Sequence, residues 1–275
     1  MKRAHVRWEM VAILLWCGWP MAAVHAATGY AVSYDVVQTG AGGSQASQQM
    51  IEIVPGHARI TMSGQPTMLF DFQQRTIWVL DDAQQTATRL EIAKLAGLMQ
   101  QTQGTMAKVM EQLPPDQRAQ TAEMLQQLGG PPAAAVNQAV AMAARPRATG
   151  QRQVINGYAC ESYTIQESSG TRTEWRTDHA PPEVTEPAFL QLQAELYALF
   201  REMLAAMPQA SQFMGSTLPT GTAAPEDKFV VRQETRSAVM TFRSISKREF
   251  APMQFGIPAG YREVNMIPKD MLPGQ

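Results

Sequence analysis

The chain has 275 residues, 45% of them hydrophobic and 17% charged, which is too apolar for a disordered protein and long enough for a sizeable core. Its formal net charge is -1, so the phosphate neutralisation that drives nucleic-acid binding has no source, and no nucleic-acid partner is expected.

The first residues carry an address. Lys2, Arg3 and Arg7 precede a short apolar run from Met10 to Trp19, and Val24-His25-Ala26 offers small residues where a signal peptidase reads. The run stops at Pro20, short of the roughly 20 residues a membrane span needs, so residues 1–26 read as a cleaved signal peptide and the location as periplasmic. Bulky Trp16 before Cys17 argues against lipidation at that cysteine. Loss of Lys2, Arg3, Arg7 and Glu9 leaves 20 basic against 23 acidic side chains, a net charge of -3, with no further transmembrane span expected. Only Cys160 then remains, so no internal disulfide can form, and this thiol reads as a small buried hydrophobe.

Residues 27–275 read as a single domain. Tyr30, Val32, Tyr34 and Val36 alternate with smaller or polar residues, as a half-buried strand requires. Short strands follow at 49–54, 57–63 and 67–72, separated by Pro55-Gly56 and Ser63-Gly64-Gln65-Pro66, and two more at 75–80 and 86–90 flank the loop Asp81–Gln85. Adjacent strand-end acids point apart, so Asp81-Asp82 reads as a solvated loop rather than a catalytic carboxylate pair. The spacing then changes. Ile92, Leu95, Met99, Met106, Met110 and Leu113 share a helical face, Pro114-Pro115 breaks that helix, and a second is expected over 116–128. Residues 129–146 and 208–227 have the composition of flexible excursions.

Strands resume at 148–155 and 158–167 around Asn156-Gly157, a strong type I′ hairpin signal. Over 171–177 the alternation of Arg172, Glu174 and Arg176 with Thr173, Trp175 and Thr177 predicts a sheet with one wet side carrying cross-strand ion pairs. Residues 187–207 are helical in spacing, 228–236 and 238–247 form a last hairpin, and 255–261 a terminal edge segment. No internal repeat is evident.

Chemical signatures are sparse. His57 and His179 have no histidine or cysteine at ligand spacing, and there is no Gly-x-Ser-x-Gly elbow, phosphate loop or dinucleotide fingerprint, so no metal, cofactor or catalytic set is expected. The 15 methionines left after signal removal suit core filling or a pliable apolar surface better than copper binding.

Thr149-Gly150-Gln151-Arg152-Gln153-Val154-Ile155-Asn156-Gly157-Tyr158-Ala159-Cys160-Glu161-Ser162-Tyr163 with Glu174-Trp175, Arg75–Asp81 and the closing Ile257-Pro258-Ala259-Gly260-Tyr261 resemble an exported bacterial family of unassigned activity, domain of unknown function 4412. A more distant similarity is to the lipoprotein-localisation carriers LolA and LolB, which implies an incomplete antiparallel barrel closed by helices over an apolar cavity. The resulting expectation is an α+β fold, a curved antiparallel sheet covered by helices, in a non-enzymatic periplasmic protein that binds a lipid, a lipoprotein acyl chain or another hydrophobic partner. Tyr34, Val36, Phe70, Phe72, Trp78, Met99, Met110 and Trp175 are the candidate lining residues. The alternative is an envelope structural or interaction module that docks a protein partner.

Overall fold

The computed structural model describes residues 26–40, 43–95, 97, 146–167, 170–206 and 228–265. The signal segment through His25, Met99, Met110, the expected helix over 116–128 and nearly all of the two expected excursions lie outside those residues.

Two meanders are sewn into one sheet. The first comprises β1 (Ala27–Gly40), β2 (Gly43–Val54), β3 (His57–Met62), β4 (Thr67–Asp71), β5 (Thr76–Asp81) and β6 (Thr86–Glu91). The second comprises β7 (Arg147–Ile155), β8 (Tyr158–Glu167), β9 (Gly170–Thr177), β10 (Phe229–Glu234) and β11 (Ala238–Phe250). Each strand pairs antiparallel with its sequence neighbour, and β1 pairs with β11 to join the halves. A last strand, β12 (Arg262–Asn265), runs parallel to β6, so the order is β12-β6-β5-β4-β3-β2-β1-β11-β10-β9-β8-β7.

This corrects the expected fold class. The molecule is a large open sheet of twelve strands with β7 and β12 as its edges, not an α+β incomplete barrel closed by a layer of helices. Within each run of hairpins short turns join successive strands, so the described chain there is almost all strand. The described helical residues are mainly α1 (Pro187–Ala206), with 92–95 and two 3-10 turns, Pro182–Thr185 and Pro252–Phe255.

Turn chemistry sets the hairpins. Asn156 and Gly157 take φ of 49° and 86°, the pair of positive values that a type I′ turn requires. At the β4–β5 turn the Asp71 carboxylate accepts from the Gln74 amide at 2.8 Å and Arg75 follows at φ 50°. Ten residues on, Asp81 accepts from the Gln84 amide at 3.0 Å and Gln85 follows at φ 50°. The chain therefore does contain a short repeat, Asp-x-x-Gln-x-Thr, in which an aspartate caps its own turn.

Tyr30, Val32, Tyr34 and Val36 face the principal core together with Ile51, Ile53, Ile60, Phe70 and Ile77 of the neighbouring strands. Helix α1 lies against this face through Phe189, Leu192, Leu196, Leu199, Phe200 and Met203, the apolar stripe its sequence period predicts. Phe189 meets Tyr30 edge-on with ring centres 5.2 Å apart, and Phe200 meets Phe70 at 5.1 Å. Burying such rings contributes about 1.5–3 kcal/mol each. On the opposite face of the first meander, Leu69, Leu80 and Ala87 are covered by Trp78, Ile257 and Tyr261, so the C-terminal segment straps that side.

The charged row on β9 also departs from expectation. Glu174 and Arg176 are buried, and two ion pairs link the row along the strand. Arg176 donates Nε and Nη2 to Glu174 Oε2 at 2.9 and 2.8 Å, and Arg172 Nε lies 3.2 Å from Glu174 Oε1. Across the strand, Glu161 is taken by Tyr163 and Lys228 instead. Hydrogen bonding makes burial of these charges tolerable.

Candidate functional site

Of the eight candidate lining residues six are described, and four of these, Tyr34, Val36, Phe70 and Trp175, meet in the filled principal core rather than around an open cavity. Tyr34 and Val36 are packed into the core, Tyr34 edge-on to Phe242 at 6.0 Å, and burial pushes the Tyr34 hydroxyl far above its ordinary range. Phe70 is core beneath α1. Trp175 belongs to the same cluster and donates its indole N–H to Glu234 at 3.0 Å. Trp78 stands on the opposite face, with the Arg89 guanidinium 5.4 Å from its ring. Cys160 is buried, and burial pushes its thiol upward, away from reactivity. Phe72, by contrast, borders an opening.

That opening is a cleft of about 760 Å³ between α1 and one end of the first meander. The β2–β3 turn (Pro55, Gly56) and the β4–β5 turn (Phe72, Gln73, Arg75) form one wall, with Tyr30 of β1 and Lys247 of β11 beside them. Gly56, at φ 83°, accepts from the Phe72 amide at 2.9 Å and locks the two turns together. The other wall is one flank of α1, where Ala188, Leu192, Ala198 and Leu199 alternate with Gln191 and Glu195.

The start of α1 fixes this geometry. Pro187 occupies the first helical position, where its missing amide is no loss, and the Leu190 amide donates to the Glu186 carbonyl at 3.1 Å. The Glu186 carboxylate accepts from the Tyr30 hydroxyl at 2.6 Å and from Lys247 at 2.7 Å, pinning the helix entry to β1 and β11. Lys247 and then Tyr30 hold the Glu186 carboxyl below its ordinary value, while Glu186 raises Lys247. Burial, followed by Glu186, raises the Tyr30 hydroxyl. At the far end Arg75 is tied to Glu202 of α1, with Nε donating at 2.7 Å.

The cleft is chemically plain. It presents apolar side chains between two clamps, Tyr30–Glu186–Lys247 and Arg75–Glu202, and one further carboxylate, Glu195, whose hydrogen bond comes from Gln191 at 3.3 Å. Among the described residues there is no group of three or more His, Cys, Asp or Glu side chains arranged to hold a metal. No described helix is long and apolar enough to cross a membrane. The residues missed by sequence reading, Arg75, Gln191, Glu195 and Lys247, look there like ordinary solvent-facing charges. Only the i, i+3, i+7 spacing of Ala188, Gln191 and Glu195 beside the Leu stripe hints that one flank of α1 faces a partner surface.

No protein-family model and no curated protein matches the chain. The chain is similar to two solved structures of PNGF-II, in space groups C2 and P21, each at 10% identity, with TM-scores of 0.36 and 0.34. The alignments cover 90% of this chain and 33% of PNGF-II, so the chain spans about a third of that protein's length, and likeness at this level carries no argument about activity.

Proposed function

We propose that the protein is a non-enzymatic, exported binding protein that takes an apolar or amphiphilic chain, such as a lipid or acyl group, into the cleft between α1 and the first meander. The observation that carries this reading is the cleft itself: about 760 Å³ bordered by Tyr30, Phe72, Leu192 and Leu199 and spanned at each end by an ion pair. Each methylene removed from water there contributes about 0.8 kcal/mol, so a short hydrocarbon chain suffices for useful affinity without strong polar contacts. The signal-like residues 1–26 and the resemblance to an exported family support a periplasmic site of action.

Native mass spectrometry of the protein isolated from its own cell envelope, followed by organic extraction, is expected to reveal a copurifying apolar species. Ala198→Trp, which places an indole in the cleft from its half-exposed helix flank, is expected to abolish copurification while leaving the circular dichroism spectrum unchanged. Repeatedly ligand-free wild-type protein sinks the reading.

A protein-interaction role has one specific observation in its favour. Among the described residues strand β7 is an edge of the sheet, exposed at every position but Ile155, and Val154 is 69% exposed. An unpaired strand edge is a template for an incoming strand. The bulge between Ala148 and Arg152 interrupts that template, which is why the cleft is preferred.

A further inference from the structure

We infer that the ligand of the α1 cleft carries a positive charge, an ammonium group on an apolar body, and that Glu195 receives it; this rests on the cleft being the ligand site. Three charged side chains border the cleft: Arg75, Lys247 and Glu195. The two cations are already committed. Lys247 donates to Glu186 at 2.7 Å, and Arg75 is held by Glu202. Glu202 belongs to α1 and Glu186 immediately precedes it, so an incoming carboxylate or phosphate would have to displace a covalently anchored competitor.

Glu195 is different. It forms no ion pair among the described residues, and its hydrogen bond is a long one from the neutral amide of Gln191, one helical turn away. It stands on the same flank of α1 as Leu192 and Leu199, so a hydrocarbon lying along those leucines brings a terminal ammonium to the carboxylate without breaking an existing clamp. The cleft's partial shielding from water strengthens that attraction relative to the open surface. The source of that ammonium is a long-chain amine lipid, whose hydrocarbon suits the leucine-lined flank of α1.

Isothermal titration calorimetry with the whole protein tests this, using dodecylammonium, dodecanoate and the tripeptide N-acetyl-Leu-Lys-Leu-amide, each below its aggregation concentration. Dodecylammonium is expected to bind about fivefold more tightly than dodecanoate. Glu195→Gln, which keeps an acceptor for Gln191, is expected to erase that preference, whereas Glu263→Gln on the distant β12 leaves it intact. Tighter binding of dodecylammonium than of the tripeptide supports the lipid; the reverse order overturns it in favour of a protein segment. Equal or tighter binding of dodecanoate, or a preference that survives Glu195→Gln, overturns the inference while leaving the cleft as an apolar site. Failure of both dodecyl probes to bind overturns the cleft reading as well.

Discussion

The two meanders solve the same problem with different materials. In the first, both faces of the sheet are covered by apolar side chains: α1 seals one through Phe189, Leu196 and Phe200, and Ile257 with Tyr261 seals the other over Leu69, Leu80 and Ala87. In the second, β9 buries a salt-linked row, Arg172, Glu174 and Arg176, with the Arg176 guanidinium 5.1 Å from the Tyr163 ring and Lys228 bridging Tyr163 and Glu161. The edges differ too. β6 is shielded by β12, whereas β7 is left open and protected by a bulge and by Arg147 and Arg152. Apolar burial supports both halves, since the principal core also takes in Trp175, Phe229, Val231 and Phe242, but the second adds a buried charged row whose cost rises steeply if one partner is removed.

The sharpest way to break this contrast is Glu174→Ala. It removes the buried carboxylate that Arg172 and Arg176 both engage and is expected to cost about 3–5 kcal/mol in urea unfolding, whereas Glu174→Leu combined with Arg176→Met is expected to lie far closer to wild type. A loss as large in the double variant would mean that the charges are not what the second meander depends on. Next comes Gly29→Ala in the first meander. A Cβ there would run into the Ile53 carbonyl oxygen and sit 2.6 Å from Val54 Cγ1, so overpacking of about 1–3 kcal/mol is expected as a lowered thermal midpoint. A smaller effect, about 0.5–1.5 kcal/mol, is expected for Tyr261→Phe, which removes the hydroxyl bonded to Asp82 and loosens the outer strap; amide exchange on β12 should rise before that on β1.

The smallest expected effect is a dependence on pH at the helix entry. The folded-state value of Glu186 is lowered, so its contribution is present above the unfolded value and disappears as pH falls from the ordinary carboxylate range through that lowered value; that of Lys247 is raised, so its share is present below the unfolded value and fades only as the solution becomes strongly alkaline. Glu186→Gln should flatten the acid limb of a stability profile measured between pH 3 and 7. An unchanged acid limb would show that the clamp does not discriminate the folded chain.

Much of this architecture is local and was therefore readable. The alternation of Tyr30 to Val36, the Pro55-Gly56 and Asn156-Gly157 turns and the apolar period of Phe189 to Met203 place strands, hairpins and α1 close to where they lie. Sheet order was legible only where neighbours in sequence are neighbours in space. The β1–β11 seam and the parallel β12–β6 pair join distant segments whose patterns fit many partners, and the fold class went astray because helical spacing counts helices without saying how much sheet surrounds them. The cleft was nearly invisible for a related reason. Tyr34, Val36, Phe70 and Trp175 are large and apolar, as lining residues are, but so is a filled core. Lys247, Glu186 and Tyr30 come together only because β1 and β11 meet beneath the start of α1.

The central seam has a bearing on how the molecule is made. Thr28 bonds Glu249 at 2.6 Å, 221 positions away along the chain, and Ala27 is registered against Phe250. β1 must therefore wait, with one flank bare, for a strand that follows much later in the chain, which gives slow, late-closing assembly and an extended interval in which a chaperone or a protease can intervene.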